Sequence, residues 1–196
     1  EFAPRASYLA GWSSYSIGNY AQAEEFLRRT KSLDIGTELA VQTTFLLGQT
    51  LSEAGSYEAS AVEFRNIFVD YPSSDYADDA LFEYAGVLLE LGRLNDAVET
   101  YRRVYVSYPD SQLAEEAMYT RGEILYENQD FESARNAFFE YRSNFSSGEL
   151  YDAALYWGGM ASYRIGQRSG ALLLWEELID QYRNSPFRSA AMQRAV

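Results

Sequence analysis

Carboxylates are the most abundant side chains of this sequence that could do acid–base chemistry or hold a metal. The chain has 29 Asp and Glu residues but no His and no Cys, so the commonest general base, metal ligand and thiol nucleophile are absent. The pairs Glu24-Glu25 and Glu176-Glu177 are adjacent on single helices, so they point in different directions and cannot flank a substrate. No GxSxG, HExxH or Gly-rich phosphate loop occurs. We therefore predict no catalytic residue, no metal site, no cofactor and no enzymatic activity.

Two further carboxylate pairs follow the similar segments "DYPSSDYADDA" and "SYPDSQLAEEA". Asp78-Asp79 and Glu115-Glu116 stand where the first turn of a helix is expected, and the helix dipole favours negative charge there. We interpret them as helix-start charges, with a cation site as the alternative.

Net charge limits the classes of partner. The chain has a formal charge of −13, which repels phosphate backbones and anionic lipid headgroups. We therefore predict neither nucleic-acid nor membrane-surface binding. No run of about 18 apolar residues could cross a bilayer, so this segment is not expected to insert into a membrane. The start, "EFAPRASYLAGW", has no Met and no signal-peptide pattern, which suggests a processed or excised piece of a longer chain.

One pattern recurs along the chain at a step of 37 residues. The segments "IGNYAQAEEFL", "AGSYEASAVEF", "LGRLNDAVETY", "NQDFESARNAF" and "IGQRSGALLLW" align without gaps. Their turn residues are Gly18, Gly55, Gly92, Gln129 and Gly166. A small residue stands seven positions before each turn, and a large one nine positions after it. This alternation is typical of helices that interlock, the large side chain filling the gap that the small residue leaves.

Apolar spacing within each unit is helical, as in Phe82, Ala85 and Leu89 before one turn and Leu94, Val98 and Tyr101 after it. Each unit is thus predicted to be two helices joined at a residue suited to the left-handed region. Pro72 and Pro109 should end second helices, and a following Ser or Asp should cap the next helix. Each hairpin buries its apolar face only by stacking on its neighbours.

These small, aromatic and Pro positions resemble the tetratricopeptide repeat over essentially the whole chain. The resemblance implies an all-α, right-handed superhelical α-solenoid of about five hairpins and the start of a sixth. The predicted units are residues 3–36, 37–73, 74–110, 111–147 and 148–184, with 185–196 the start of the sixth, in one domain. The departures are Gln129 at the turn and Ser146 and Arg183 at the Pro position.

The unit is three residues longer than the usual 34 and carries a "YP.S..A..A.." linker. In this it is similar to bacterial envelope proteins, namely outer-membrane assembly lipoproteins and the periplasmic partner of the Tol-Pal system. The resemblance implies a periplasmic or outer-membrane-associated location, with a cytoplasmic one as the alternative.

In tetratricopeptide proteins the first helices line a concave groove, and carrying its positions over gives candidate partner-binding residues. One position is aromatic in all five units, and among the carried positions acidic residues outnumber basic ones six to two. Such a groove would suit a peptide or helix that carries Lys or Arg with apolar side chains. The candidates are Trp12, Tyr15, Gln49, Glu53, Phe82, Glu90, Tyr119, Glu123, Tyr126, Glu127, Tyr156 and Tyr163.

The aromatic position has an alternative interpretation, because Tyr8, Phe45, Phe82, Tyr119 and Tyr156 could instead pack between adjacent units. The side chains expected to be free are Gln49, Glu53, Glu90, Glu123 and Glu127. Tetratricopeptide proteins that grip acidic chaperone tails use Lys, Arg and Asn at these positions, so a carboxylate-rich partner is not expected. The outer face of the second helices, Arg29, Asn66, Arg103, Glu140 and Glu177, is predicted to face solvent.

The resulting hypothesis is a non-enzymatic protein-binding scaffold, placed by the resemblance in a bacterial envelope complex. Two alternatives stay open: a structural subunit that assembles through its ends or flank, and a small-ligand carrier in which Trp12, Tyr15 and other aromatics enclose a pocket. The ending "FRSAAMQRAV" matches half of a first helix, so further repeats of the same chain are also expected beyond Val196.

Overall fold

The computed structural model describes residues 2–195, and within that range the only regular secondary structure is α-helix. The helices of this part of the chain are α1 (Phe2–Ser16), α2 (Tyr20–Lys31), α3 (Thr37–Glu53), α4 (Tyr57–Asp70), α5 (Ala77–Glu90), α6 (Leu94–Ser107), α7 (Ala114–Glu127), α8 (Phe131–Asn144), α9 (Tyr151–Arg164), α10 (Arg168–Gln181) and α11 (Arg188–Arg194). The predicted all-α class is confirmed, with five hairpins and the beginning of a sixth.

The chain forms two compact units, one ending at Thr100 and the other beginning at Tyr101, with the division inside α6. In the N-terminal unit α1 packs on α2, α2 on α3, α3 on α4 and α4 on α5. In the C-terminal unit the same succession runs from α7 to α11. First helices of neighbouring hairpins also touch, α1 with α3 in one unit and α7 with α9 in the other. A single domain over residues 1–196 stays a prediction.

Each hairpin turns at a residue in the left-handed region. Gly18, Gly55, Gly92 and Gly166 have φ between +69° and +80°, and Gln129 has φ +64° in the equivalent place. After the first turn, the amide of Asn19 donates to the Ser14 carbonyl at 2.9 Å, which satisfies a carbonyl at the end of α1. Glycine reaches this region without strain, so only the fourth repeat holds a side chain there.

Close contact inside a hairpin depends on the small residue predicted before each turn. A Cβ on Gly48 would lie 2.8 Å from the ring of Phe64, and one on Gly122 would lie 2.8 Å from the ring of Phe138. Gly11 has the same relation to Leu27, and Gly159 to Trp175. The predicted pairing of small and large residues is therefore confirmed in these four hairpins.

The segments between hairpins differ in part from the prediction. Pro72 and Pro109 follow the ends of α4 and α6, as expected. The predicted Ser or Asp cap is wrong for α5 and α7, whose N-cap residues, Tyr76 and Leu113, make no side-chain cap hydrogen bond. The hydroxyl of Ser111 instead accepts the amide of Leu113 at 3.0 Å. The turn formed by Ser111 and Leu113 separates Ser111 from the first residue of α7, Ala114.

Aliphatic and aromatic side chains together form the core, and its largest fully buried members are Trp175, Tyr141, Phe64 and Phe138. Leu27, Leu46, Leu47 and Leu51 make one buried cluster in the N-terminal unit, and Tyr8 packs against it. No helix within residues 2–195 combines the length and apolarity that a membrane span requires. Crevices beside the first helices α3 and α7 are the candidate sites.

Candidate functional site

A crevice of about 380 Å³ opens between α7 and the loop that leads into α9. Its wall contains four carboxylates, one tyrosine and no basic side chain. The lining residues are Gln112, Glu115, Glu116, Tyr119, Thr120, Glu123, Glu149 and Leu150. We call it the α7 crevice. A concave wall with charge of one sign concentrates counter-charged groups, so this crevice suits a cation.

The N-terminal unit has an equivalent crevice of about 610 Å³ between α3 and the loop into α5. Its carboxylates are Glu38, Asp75 and Asp79, and no basic residue lines it. Burial raises the pKa of the Asp79 carboxyl, and the neighbouring Asp78 raises it further. The 37-residue repeat thus places an acidic crevice beside a first helix in each unit.

Two carboxylates of the α7 crevice are already engaged within the chain. Glu115 accepts a hydrogen bond from the hydroxyl of Tyr141 and another, at 3.0 Å, from the backbone amide of Leu150. Glu123 interacts with the hydroxyl of Tyr119 on the same helix. Glu116 and Glu149 are exposed, and they provide the charge that is open to a partner.

The electrostatics of Glu123 favour a positive ligand. Burial raises the pKa of its carboxyl, the interaction with Tyr119 opposes the rise, and Glu127 adds to it. The pKa of Tyr119 is raised by its own burial and then by Glu123. A cation that entered the α7 crevice would lower the pKa of Glu123, because an opposite charge favours the ionised carboxylate.

The aromatic column makes contacts within the protein. Phe45 lies 5.5 Å from Phe64 between ring centroids, and Tyr119 lies 5.8 Å from Phe138. Tyr119 is 8% exposed and Tyr156 is 9% exposed. These distances fit edge-to-face core packing, so the structure favours the packing interpretation for this column. Partner contact by Phe82, Tyr119 and Tyr156 stays a prediction.

Several groove candidates of the N-terminal unit contact neighbouring side chains. Trp12 is 52% exposed, whereas Tyr15 packs 5.9 Å from the ring of Tyr20. Glu53 accepts the hydroxyl of Tyr20 at 3.4 Å. Glu90 is exposed and lies close enough to Tyr57 to raise the pKa of its hydroxyl.

Gln49 interacts with Glu83, a half-buried carboxylate of α5 that the sequence did not indicate. Burial raises the pKa of the Glu83 carboxyl, the interaction with Gln49 lowers it, and Asp79 and Glu53 raise it. Glu53 and Glu90 are exposed, and Gln49 and Glu123 are half-buried, so partner contact by these four side chains stays a prediction. Glu83 aligns with Leu46 in the repeat, and an apolar residue at the equivalent position gives no indication of a carboxylate there.

In the C-terminal unit the candidates are placed differently. Tyr126 lies between Phe131 and Trp157, with ring centroids 5.2 Å and 5.1 Å away. Tyr163 is 44% exposed, with Trp175 at 6.1 Å. Glu127 is exposed. Exposed Glu127 and Tyr163 are therefore open to a partner, whereas Tyr126 is packed.

On the outer face of the second helices Arg29, Arg103 and Glu140 are exposed as predicted, whereas Glu177 is half-buried. Glu177 accepts a hydrogen bond from the guanidinium of Arg142 at 2.7 Å and another from the hydroxyl of Tyr151 at 2.8 Å. Arg142 belongs to α8, Tyr151 to α9 and Glu177 to α10. The predicted solvent role of Glu177 is wrong, since its carboxylate joins three helices.

Asp78, Asp79, Glu115 and Glu116 lie in first turns of α5 and α7, as predicted. In the described part of the chain no group of three or more carboxylates is placed to hold a metal ion.

Two tetratricopeptide repeat models match the chain, at residues 45–112 and 153–185, together about half of its length. The chain belongs to the tetratricopeptide repeat family. A search of curated protein sequences finds no match.

Solved tetratricopeptide structures share the fold at low sequence identity. MamA matches with a TM-score of 0.71 at 15% identity, covering 92% of both chains. A tetratricopeptide repeat protein from Parabacteroides merdae ATCC 43184 matches with a TM-score of 0.72 at 15% identity, covering 99% of this chain and 74% of that one. YrrB, described as having an unusual peptide-binding site, matches with a TM-score of 0.64 at 16% identity, covering 95% and 90%.

Proposed function

We propose that this tetratricopeptide chain is a non-enzymatic scaffold that binds a segment of a partner protein beside its first helices. The bound segment carries Lys or Arg together with apolar residues. The observation that carries the proposal is the α7 crevice, whose wall holds four carboxylates and Tyr119 and no compensating cation. Glu116 and Glu149 supply the accessible charge, and the half-buried Leu150 supplies an apolar surface.

The charge of the crevice wall explains the preference for Lys or Arg in the bound segment. A Lys or Arg side chain that enters the crevice pairs with carboxylates that no basic lining residue neutralises. Charge of one sign also steers encounter, so binding should accelerate at low salt. The fold relative YrrB has a peptide-binding site, which supports a peptide ligand here.

We also propose that the scaffold works in a bacterial envelope complex, in the periplasm or at the outer membrane. This proposal rests on the longer repeat unit and its linker, which resemble those of envelope proteins. Protease accessibility of the full-length protein in intact cells and in spheroplasts tests it. Degradation only after the outer membrane is permeabilised supports the location, and protection until the cells are lysed contradicts it.

Peptide binding tests the scaffold proposal directly. Fluorescein-labelled peptides of about 12 residues, with Lys and Arg between Leu and Phe, are titrated with the protein and followed by polarisation. Matched peptides carry Glu in place of the basic residues. We expect only the basic series to bind, with a salt-dependent dissociation constant.

A variant with Glu116→Gln, Glu123→Gln and Glu149→Gln should weaken that binding by about tenfold or more, since pairing with charged groups is lost. The matched control is Glu132→Gln, Glu176→Gln and Asp180→Gln, exposed acids of α8 and α10 that change net charge equally. Equal weakening in both variants would mean that net charge alone attracts the peptide. Binding by neither peptide series would contradict the proposal.

A further inference from the structure

A pocket of about 330 Å³ opens in the C-terminal unit where the end of α6, the start of α7 and the end of α8 meet. Ala114 and Met118 contribute buried lining, and Phe145 is half-buried. Val106 and Glu140 line it and are exposed, so the pocket is open to solvent. We call it the Ala114 pocket. Its volume is within the range of pockets that bind small ligands, about 300–1,000 Å³.

In the next repeat a side chain fills the equivalent place. Tyr151 stands 37 residues after Ala114, and Glu177 stands 37 residues after Glu140. The hydroxyl of Tyr151 donates a hydrogen bond to Glu177 at 2.8 Å, and Tyr151 is only 5% exposed. One repeat therefore holds a phenol ring against its carboxylate, whereas in the other an alanine leaves the place of that ring open.

The aromatic neighbour of that ring is present in both repeats. The ring centroid of Tyr151 lies 5.7 Å from that of Tyr182. Tyr182 stands 37 residues after Phe145, which lines the Ala114 pocket. A phenol ring that entered the pocket would therefore meet Phe145 as Tyr151 meets Tyr182, at a distance typical of aromatic pairs.

The carboxylate of Glu140 is more accessible than its equivalent. The side chain of Glu140 is 44% exposed, and that of Glu177 is 15% exposed. Glu140 accepts a hydrogen bond from the hydroxyl of Tyr105 at 3.4 Å and lies 3.6 Å from the guanidinium of Arg121. A carboxylate has about four acceptor positions, and a well-placed hydroxyl donates to it at about 2.5–2.7 Å. Glu140 can therefore accept a further, shorter hydrogen bond from a phenol.

We propose that the Ala114 pocket binds a tyrosine side chain of a partner protein, with the ring against Phe145 and Met118 and the hydroxyl donating to Glu140. A tyrosine within a polypeptide suits the pocket better than a free phenol does. Val106 at its edge is 56% exposed, and the chain on either side of the tyrosine would cover it. Tyrosine is also enriched at protein interfaces, because it has an apolar ring and a polar tip.

The Ala114 pocket is separate from the α7 crevice, since the two share no lining residue. Its ligand is uncharged, whereas the segment proposed for the crevice carries Lys or Arg. Binding to each can therefore be measured without the other, and the failure of one proposal leaves the other standing.

Nuclear magnetic resonance titration with p-cresol, the side chain of tyrosine, tests the chemistry of the pocket. We expect the amide signals of Met118 and Phe145 to shift, with binding about tenfold or more weaker for 4-methylanisole, whose ether cannot donate a proton. Absence of p-cresol binding to the wild-type chain, or equal binding of the two compounds, would overturn the proposal.

Two variants test the place of the ring. Ala114→Tyr should supply the phenol from within the chain, so it should abolish p-cresol binding and raise the melting temperature. Glu140→Gln keeps the pocket and should weaken p-cresol about tenfold, since the charged acceptor is lost. The matched control is Glu132→Gln, an exposed acid of the same helix, which should have no effect. Unchanged p-cresol binding to a folded Ala114→Tyr variant, or to Glu140→Gln, would overturn the proposal.

Short peptides test the source of the phenol. The sequence Gly-Ser-Tyr-Ser-Gly, with blocked ends, should shift the same amide signals and bind at least as tightly as p-cresol. The same peptide with Phe for Tyr should bind about tenfold more weakly, because it lacks the hydroxyl. Binding of p-cresol without binding of the Tyr peptide would indicate a small phenolic ligand and would overturn the assignment to a partner protein.

Discussion

The guanidinium carbon of Arg164, at the end of α9, lies 4.1 Å from the centroid of the Phe131 ring, at the start of α8. The two residues are 33 positions apart. The same separation joins Tyr20 to Glu53 and Tyr57 to Glu90 in the N-terminal unit. The hydroxyl of Tyr20 donates a hydrogen bond to Glu53 at 3.4 Å, and Glu90 raises the pKa of Tyr57. Equivalent positions of the repeat therefore hold a cation–π pair, Arg164 with Phe131, in one hairpin pair and tyrosine–carboxylate pairs in others.

Removing the Arg164 charge should weaken the C-terminal unit slightly. We expect Arg164→Gln to lower the free energy of unfolding by about 0.5–1 kcal/mol, the value of an exposed cation–π contact. Urea denaturation measures it. In a Phe131→Leu background the same change should have almost no effect, and an undiminished effect there would show that Arg164 acts through some other contact.

Gln129 should be the residue of the hairpin turns that is easiest to improve. Its φ of +64° is unfavourable for any side chain, so Gln129→Gly should stabilise the protein by about 0.5–1 kcal/mol. Thermal unfolding is the measurement. Gly55→Gln makes the opposite change at φ +73° and should destabilise comparably. A destabilised Gln129→Gly variant would contradict the argument from strain.

Gly122 should tolerate no side chain while Phe138 stays in place. A Cβ there would lie 2.8 Å from the Phe138 ring, so Gly122→Ala should cost about 1–3 kcal/mol through overpacking. Adding Phe138→Leu should recover part of that cost. The control is Gly170→Ala inside α10, where the nearest atom to the added Cβ is Ser162 Oγ at 3.9 Å, so the change should be neutral or stabilising.

Glu83 should make the protein less stable as the pH rises. Its pKa lies above 4.5 in the folded chain, so the folded state holds the proton to higher pH than the unfolded state. The contribution to stability is complete below about pH 4.5 and is lost as the pH rises through the raised pKa. Glu83→Gln should therefore raise the melting temperature at pH 7 and leave it nearly unchanged at pH 4.

The control for Glu83 is Glu58→Gln, which removes an exposed carboxylate of α4 in the same unit. Melting curves of both variants from pH 4 to pH 8 make the comparison. A gain at pH 7 that Glu58→Gln matches would assign the effect to net charge, and no gain at all would contradict the burial argument.

The sequence predicted the hairpins because their causes are local. Apolar residues at helical spacing, glycine at the turn and proline after the second helix each act within a few residues. Gly48 and Phe64 could be paired because the same spacing recurs in every unit. The cap prediction failed at Ser111, because a single turn between the serine and α7 redirects its hydroxyl to Leu113.

The site was harder to predict than the hairpins because it depends on contacts between helices. Gln49 and Glu83 are 34 residues apart, and no local pattern indicates their interaction. The α7 crevice likewise joins Glu116 to Glu149 from the next loop. The family groove positions predicted several carboxylates along the first helices. They could not predict that Glu115 is hydrogen-bonded within the chain while Glu116 and Glu149 are exposed, because those contacts come from other helices and loops.

Glu177 has a consequence for how the C-terminal unit comes apart. Its carboxylate connects Arg142 of α8, Tyr151 of α9 and its own helix, α10, so two successive hairpins share one ionic junction. Repeat arrays often unravel one unit at a time, because each hairpin contacts only its neighbours. Opening either hairpin breaks the shared junction, so we expect the two hairpins to unfold together and to show common hydrogen-exchange protection.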